Sequence, residues 1–140
     1  MTSKNTRVVF SDVGFPVPVE QRPLWRLTII CCCISVLGNP NTGLNLNKVR
    51  VACWMLIRKH LWKEYQEFML FERGNKPRFA IDSATDKAIE LGLEKGYFDI
   101  NNGRLILSEV GISLLIIVEA NSLFLEEKEF LGGSAVSPWA

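Results

Sequence analysis

The stretch from residue 27 to residue 37 is apolar except at Thr28 and Ser35, and it restricts the folds that are open to this chain. It is too short to cross a bilayer, which takes about 20 apolar residues in a helix. Pro23 suits the first turn of a helix and Gly38 suits its end, so the sequence predicts one helix between them. Because apolar side chains fall on all sides of this helix, we expect it at the centre of a domain or in an interface.

Length and composition indicate one domain with tails. The chain has 140 residues, of which 48% are hydrophobic and 22% charged, so it can bury a core and is too apolar for a disordered or collagen-like chain. We expect an extended, proline-containing arm at residues 1–22, a folded domain at 23–131 and a tail at 132–140. The sequence opens without a signal-peptide pattern and has no membrane-spanning stretch, so we expect a cytoplasmic protein without membrane contact.

The few residues that could support catalysis or metal binding are badly placed for it. Cys31, Cys32 and Cys33 are consecutive, so on a helix they point about 100° apart and cannot converge on a metal. We expect them and Cys53 to be buried, reduced thiols. The single histidine, His60, falls at the edge of a predicted apolar stripe, where a hydrogen-bonded structural role is expected. The sequence therefore predicts no enzyme activity, no catalytic residue, no metal and no cofactor.

The loop between Gly38 and Gly43 imitates the start of a phosphate-binding P-loop. Its two glycines have the P-loop spacing, but Leu44 and Asn45 stand where that motif requires Lys and Ser or Thr. The loop also follows a predicted helix, whereas a P-loop follows a strand. We therefore do not expect nucleotide binding and interpret the segment as a turn.

A second helix is predicted to start near Asn45 or Asn47, either of which can cap it. After it, an aromatic pattern that is compatible with a helix continues to about Arg73. The second helix has an apolar stripe at helical spacing. The residues of this stripe are Val49, Ala52, Cys53, Leu56 and His60.

The second half of the chain has the clearest local signals. Residues 83–86 (Ser-Ala-Thr-Asp) form a capping box for a third helix, which ends at Gly96. Residues 101–103 (Asn-Asn-Gly) lie between two β-forming segments and predict a hairpin. Ser108 can cap a last helix, which can break before Phe130.

The predicted elements are two helices, a capped third helix, a two-stranded wing and a further helix. This is the order of a winged-helix domain. The segment from Ala84 to Tyr97 and the segment from Gly103 to Gly111 resemble the third helix and the wing of many winged-helix proteins. The expected fold class is mostly α with a small β-hairpin (α+β): a winged-helix domain with an extended N-terminal arm and a short C-terminal tail. Such a fold leaves the function open.

A narrower resemblance rests on two further segments taken together with the third helix and wing. They are Arg22-Pro23-Leu24-Trp25-Arg26-Leu27 and Val51-Ala52-Cys53-Trp54-Met55-Leu56-Ile57-Arg58. Over residues 22–131, the combination is similar to the small middle components of ABC-three-component systems, including Lamassu-type anti-phage defence. This resemblance implies a non-catalytic adaptor that bridges an SMC/ABC-type ATPase and an effector, often a nuclease. It supplies no catalytic residue.

The alternative function is a small winged-helix transcription regulator that binds DNA, and the charge of the third helix weighs against it. A DNA-reading winged helix places this helix in the major groove, where Arg, Lys, Asn and Gln meet bases and phosphates. Here the helix has four carboxylates at i, i+4 spacing and two lysines. They are Asp82, Asp86, Glu90 and Glu94, against Lys87 and Lys95. A row of carboxylates repels phosphates, so we expect it to face solvent or a protein partner.

Charge is divided unevenly along the chain, with 12 basic and 5 acidic residues in 1–78 and 4 basic and 10 acidic residues in 79–140. If the basic residues in and after the second helix converge, they could hold DNA phosphates without reading sequence. These candidates are Lys48, Arg50, Arg58, Lys59, Lys63, Arg73, Lys76 and Arg78. The candidates for contact with a protein partner are Phe15, Trp25, Asp86, Glu90, Glu94 and Trp139.

Both the predicted arm and the predicted tail contain large apolar residues. Phe15, Val17 and Val19 alternate with prolines in the arm, and Val136 and Trp139 lie in the tail. With Leu131, these residues are too apolar for free ends, so we expect both ends to dock, either on a partner or on the domain itself.

Overall fold

Six α-helices and three short strands make up the part of the chain that the structure, a computed structural model, describes. That part comprises residues 22–72, 80 and 82–132, without the side chains of residues 69 and 70. The predicted arm before Arg22 and the predicted tail after Gly132 lie outside it. The elements are α1 (Pro23–Leu37), β1 (Leu44–Asn45), α2 (Leu46–Ile57), α3 (Trp62–Phe71), α4 (Ser83–Lys95), β2 (Phe98–Asn101), β3 (Arg104–Leu107), α5 (Glu109–Ala120) and α6 (Leu125–Gly132).

The helix α1 lies at the centre of the fold, as its sequence predicts. Nine consecutive residues, 26–34, are buried, and α1 packs against α2, α4, α5, α6 and β3. The buried part of this helix has no solvent face, which explains why polar residues are rare in it. Among the described residues, no helix combines the length and the apolar character that a membrane span requires.

The prediction of one continuous stripe from the second helix to His60 is wrong. The helix α2 ends at Ile57, the backbone leaves the helical region at Arg58, and residues 59–61 form a 3₁₀ turn that leaves His60 exposed. The indole nitrogen of Trp62 donates to the carbonyl oxygen of Met55 at 2.8 Å, which folds the start of α3 back onto α2. His60 is therefore a surface residue of a turn and does not border the core.

The start of α4 also differs from the prediction by one residue. Asp82, and not Ser83, is the N-cap: its carboxylate accepts a hydrogen bond from the amide of Ala84 at 3.1 Å. Asp86 does not complete a capping box, because its carboxylate is bound by Arg50. The predicted end of the helix is confirmed, since Gly96 has a left-handed φ of 80°.

The predicted hairpin is confirmed and gains a third strand. β2 pairs with β3, and Asn102 and Gly103 both have positive φ in the turn between them. β1 adds to the other edge of β3, so the antiparallel sheet has the order β1-β3-β2. Asn45 ends β1 and caps α2, accepting a hydrogen bond from the amide of Asn47 at 2.8 Å. The fold is thus mostly helical with a small antiparallel sheet, which confirms the α+β class.

The last helical region breaks before Phe130, as predicted. α5 ends at Ala120, and after a turn α6 begins at Leu125. The new direction of the chain buries Phe130 and Leu131 in the core, where the ring of Phe130 stacks on that of Trp62 at 4.5 Å between centroids. Leu131, which the sequence suggests as a docking residue, is therefore covered by its own domain.

Candidate interaction surfaces

One face of α5 exposes four β-branched aliphatic side chains. Val110, Ile112, Ile116 and Ile117 are 48–61% exposed, whereas Gly111 and Val118 on the opposite side are buried. Monomeric proteins rarely leave several large apolar side chains together on one exposed helix face. We name these four residues the α5 face.

Local contacts fix the orientation of α5, so the α5 face cannot turn inward. The hydroxyl of Ser108 accepts from the amide of Gly111 at 3.3 Å and donates to the carbonyl oxygen of Gly96, which ties the start of α5 to the end of α4. Gly111 lies so close to the backbone of Tyr97 that a Cβ atom there would overlap its carbonyl oxygen. The glycine therefore lets α5 sit directly against the hairpin with a fixed side outward.

The α5 face is not among the surfaces expected from the sequence, although the sequence contains a signal for it. The segment Glu109–Ala120 has polar side chains only at Glu109, Ser113 and Glu119, so it is apolar nearly all round. The same property places α1 at the centre of the fold. A second helix of this kind cannot also be central in so small a domain, and the remaining place for it is an interface.

A cleft of about 210 Å³ opens beside the α5 face. Ile112, Ile34 and Leu107 line it, together with the loop Gly38–Pro40. Its lining is mainly apolar, and its volume suits one large side chain of a partner better than a cofactor. The cleft and the α5 face together form a continuous candidate docking surface through Ile112, which belongs to both.

The four carboxylates of the predicted acidic row do not all face solvent. Asp82 turns inward and pairs with Arg26 of α1, and Asp86 pairs with Arg50 of α2 at 2.9 Å. Glu90 and Glu94 are exposed. The expectation that the whole row faces solvent or a partner is therefore wrong for Asp82, whereas Asp86 stays at the surface, where Arg50 neutralises it.

Asp82, Arg26 and Thr85 form a buried polar network at the start of α4. Arg26 is only 3% exposed. Its guanidinium donates hydrogen bonds to the carboxylate of Asp82 and to the hydroxyl of Thr85, the latter at 3.0 Å. Within the described part of the chain its Nε finds no hydrogen-bond acceptor. Burial by itself raises the pKa of the Asp82 carboxyl, but the charge of Arg26 and the hydrogen bonds from Thr85, Arg26 and the Ala84 amide outweigh it, so the pKa is lowered.

The lowered pKa of Asp82 predicts a contribution to acid sensitivity. The ionised carboxylate stabilises the fold above its unfolded pKa of about 3.9, and this contribution is lost as the pH falls through the lower folded pKa. We expect urea unfolding midpoints of the wild type to fall more steeply than those of Asp82→Asn between about pH 5 and pH 2. Parallel curves for the two proteins would contradict this assignment.

Three of the described basic candidates are engaged by other side chains of the domain. Arg50 pairs with Asp86, whereas Arg58 lies over the ring of Trp54, 3.3 Å from its centroid. Lys59 pairs with Glu126 at 3.3 Å and with the buried Glu127 at 3.0 Å, and the hydrogen bond with Glu127 is the largest cause of its raised pKa. Arg50, Arg58 and Lys59 thus each contact a different side-chain partner. Lys48 is half-buried and Lys63 is exposed, while Arg73, Lys76 and Arg78 lie outside the described residues.

Of the candidates for protein contact, Trp25 is half-buried, and its ring lies 5.8 Å from that of Phe124 in a tilted arrangement. Phe15 and Trp139 lie outside the described residues. Asp86 is engaged by Arg50, which leaves Glu90 and Glu94 as the exposed carboxylates of the set that have no ion pair with another described residue. Of the described candidates, three thus lie on α4 and Trp25 lies on α1.

The four cysteines are buried and free, as the sequence predicts. Burial is the main cause that raises the pKa of Cys31 to about 12 and that of Cys32 to about 11. The hydrogen bond with Cys53 and burial raise the pKa of Cys33 as well. Among the described residues, no group of three or more His, Cys, Asp and Glu side chains could hold a metal ion.

Comparisons with protein-family models, with curated proteins and with solved structures find no match for this chain.

Proposed function

We propose that this chain is a non-enzymatic adaptor with a winged-helix domain, which bridges an SMC/ABC-type ATPase and an effector in an anti-phage defence complex. The order of α1, α2, α4, hairpin and α5 supports the winged-helix assignment, with α3 as an additional helix between α2 and α4. So does the position of the hairpin directly after the helix that would read DNA in such a domain. The defence complex and its subunits come from the sequence resemblance, and the surfaces below support an adaptor.

The observation that carries the proposal is the α5 face. Four half-exposed aliphatic side chains on one rigid helix are costly to leave in water, at about 25 cal/mol for each Å² of apolar surface. A protein partner removes this cost and supplies the dry centre that stable interfaces have. The adjoining cleft at Ile112 offers a pocket for an anchoring side chain.

The charges of α4 and the hairpin support a protein partner over DNA. The exposed charges of α4 are two lysines and two glutamates, so its outer face has no positive excess for phosphates. They are Lys87, Lys95, Glu90 and Glu94. Arg104 of the hairpin donates to the carbonyl oxygens of Thr42 and Gly43, both at 3.0 Å, so it is held against the domain's own loop. A surface of this kind lacks the cationic groups that DNA binding needs.

The test is assembly with the proposed partners. We expect the wild type to co-purify with the SMC-like ATPase and the effector of the proposed complex, and Ile116→Glu to weaken this association by at least about 30-fold, as for an interface hot spot. The matched control is Ile100→Glu, which puts the same charge on a similarly exposed isoleucine of β2. Thermal unfolding of both variants, expected near that of the wild type, shows that the fold is kept.

Two results would contradict the adaptor. One is an intact assembly with Ile116→Glu, since the α5 face then has no part in it. The other is tight, sequence-selective binding of the isolated protein to duplex DNA at moderate salt, which would favour the transcription regulator.

A further inference from the structure

The exposed side of α5 has a shape that fits another helix. Ser113, Ile116, Ile117 and Ala120 are all exposed, and they have i, i+3, i+4, i+7 spacing. In packed helices, four residues at this spacing surround one side chain of the neighbouring helix. The two isoleucines form the sides of this hole, and the small Ser113 and Ala120 leave room at its ends. We name these four residues the α5 hole.

The cleft at Ile112 supplies a second position for an apolar side chain. Ile112 is four residues before Ile116, so the two side chains are neighbours on the same side of α5. The α5 hole and the cleft of about 210 Å³ are therefore about one helical turn apart along α5. Side chains at positions i and i+4 of a second helix have the same separation. One partner helix can thus fill both.

The charges on α5 are both negative and both border these two positions. Glu109 is three residues before Ile112, and Glu119 is three residues after Ile116. The segment Glu109–Ala120 contains no Lys, Arg or His, and the residues that line the cleft are uncharged. Glu119 has a single recorded ion pair among the described residues, with Lys128 at 3.8 Å, and its side chain remains 76% exposed. So loose a surface pair leaves Glu119 accessible to a cation from outside.

We propose that the α5 face holds an amphipathic helix of a partner subunit, with large aliphatic side chains at i and i+4 and Lys or Arg beside them. The aliphatic side chains fill the α5 hole and the cleft, and the cations lie near Glu109 and Glu119. Charge complementarity of this kind sets the orientation and the association rate of the two helices. The inference rests on the proposed function, because it names the kind of segment that occupies the surface assigned there to a partner.

The charges and the backbone of α5 favour this occupant over three others. A second copy of the chain would bring two more glutamates and, from its own α5, no cation. A membrane surface rich in anionic lipids would repel the same carboxylates. An extended peptide adds to the free edge of a sheet, whereas α5 is a helix, whose central backbone groups bond within it.

The experiment measures binding of two synthetic peptides to the full chain by fluorescence anisotropy. Both peptides are of about 18 residues, or about five turns of helix, and have the same stripe of leucines at i, i+3, i+4 and i+7. Lysines flank the stripe in one peptide and glutamates in the other. We expect the lysine peptide to bind at least about tenfold more tightly at moderate salt. The net charge of the chain is +1, so its overall charge does not favour a cationic peptide.

Two pairs of variants locate the binding site. Glu109→Lys with Glu119→Lys should weaken the lysine peptide at least about tenfold. The matched control is Glu90→Lys with Glu94→Lys, which makes the same change in net charge on exposed positions of α4 and should change binding by less than about threefold. Ile116→Gln should also weaken binding at least about tenfold, whereas Ile100→Gln on β2 should not. Thermal unfolding of all variants, expected near that of the wild type, shows that the fold is kept.

Four results would overturn the inference. They are equal binding of the two peptides, binding of neither, equal effects of the two charge reversals, and a homodimer in sedimentation that Ile116→Gln dissociates. The last would assign the α5 face to a second copy. These measurements use neither the ATPase nor the effector, so their failure leaves the assembly test of the proposed function unchanged. Failure of that assembly, with lysine-peptide binding intact, would contradict the adaptor and support the helix-binding surface.

Discussion

Replacing Asp82 by alanine is expected to destabilise the fold by about 3–5 kcal/mol, which is large for a residue that is not fully buried. The substitution leaves the guanidinium of Arg26 buried without its counter-charge, at 3% exposure and with its Nε already lacking an acceptor among the described residues. It also removes the N-cap of α4, which accounts for about 1 kcal/mol of the loss. Urea unfolding of the purified variant measures the sum.

Two further variants separate the buried charge from the helix cap. Asp82→Ser keeps a capping oxygen for the Ala84 amide and removes only the charge, so it should recover about 1 kcal/mol relative to alanine. Combining it with Arg26→Met removes the stranded cation as well and should restore most of the remaining loss, since an apolar replacement of a buried pair is often neutral. If the double variant is no more stable than Asp82→Ser, the pair is not the reason for the effect.

The features of the fold that follow from neighbouring residues could be predicted from the sequence. Gly96 ends α4, Ser108 caps α5, and Asn102 with Gly103 turns the hairpin, because each acts on backbone groups only a few residues away. The position of α1 also followed, since a helix without a polar face has to be covered.

The features that the sequence did not reveal depend on residues far apart in the chain. Asp82 replaces Ser83 as the cap of α4, and its carboxylate is held by Arg26, 56 residues earlier. β1 exists only because Leu44 pairs with Leu105, and two isolated residues give no strand pattern. Periodicity alone cannot show such partners.

The candidate site was the least predictable part, because exposure is a property of packing. The sequence shows that α5 is apolar, but not which of its sides meets α1 and β3 and which meets solvent. The prediction for the acidic row was incomplete for the same reason. The i, i+4 spacing places Asp82 and Asp86 on one face of α4, but it does not show that Arg26 and Arg50 face them. The exposed surfaces therefore follow from the packing of the whole domain and not from the sequence of any one helix.

Gly43→Ala is expected to cost about 3–5 kcal/mol, and it tests why the P-loop-like loop contains glycine. Gly43 has a left-handed φ of 76°, which costs an alanine about 1–2 kcal/mol. A Cβ atom there would also overlap the backbone carbonyl of Leu105, which cannot move aside without separating β1 from β3. Differential scanning calorimetry gives the loss of stability, and amide exchange of Asn39 and Gly43, which hydrogen-bond each other, gives its location.

The matched control for Gly43 is Gly103→Ala in the hairpin turn. Gly103 has nearly the same φ, 73°, but nothing lies within 4 Å of the position that its Cβ would occupy. It should therefore lose only the backbone cost of about 1–2 kcal/mol. The difference between the two variants isolates the close approach of the loop to β3. Equal losses would mean that the glycine serves backbone conformation alone, whereas a larger loss at Gly43 explains the glycine spacing of this loop by packing, without any need for a phosphate.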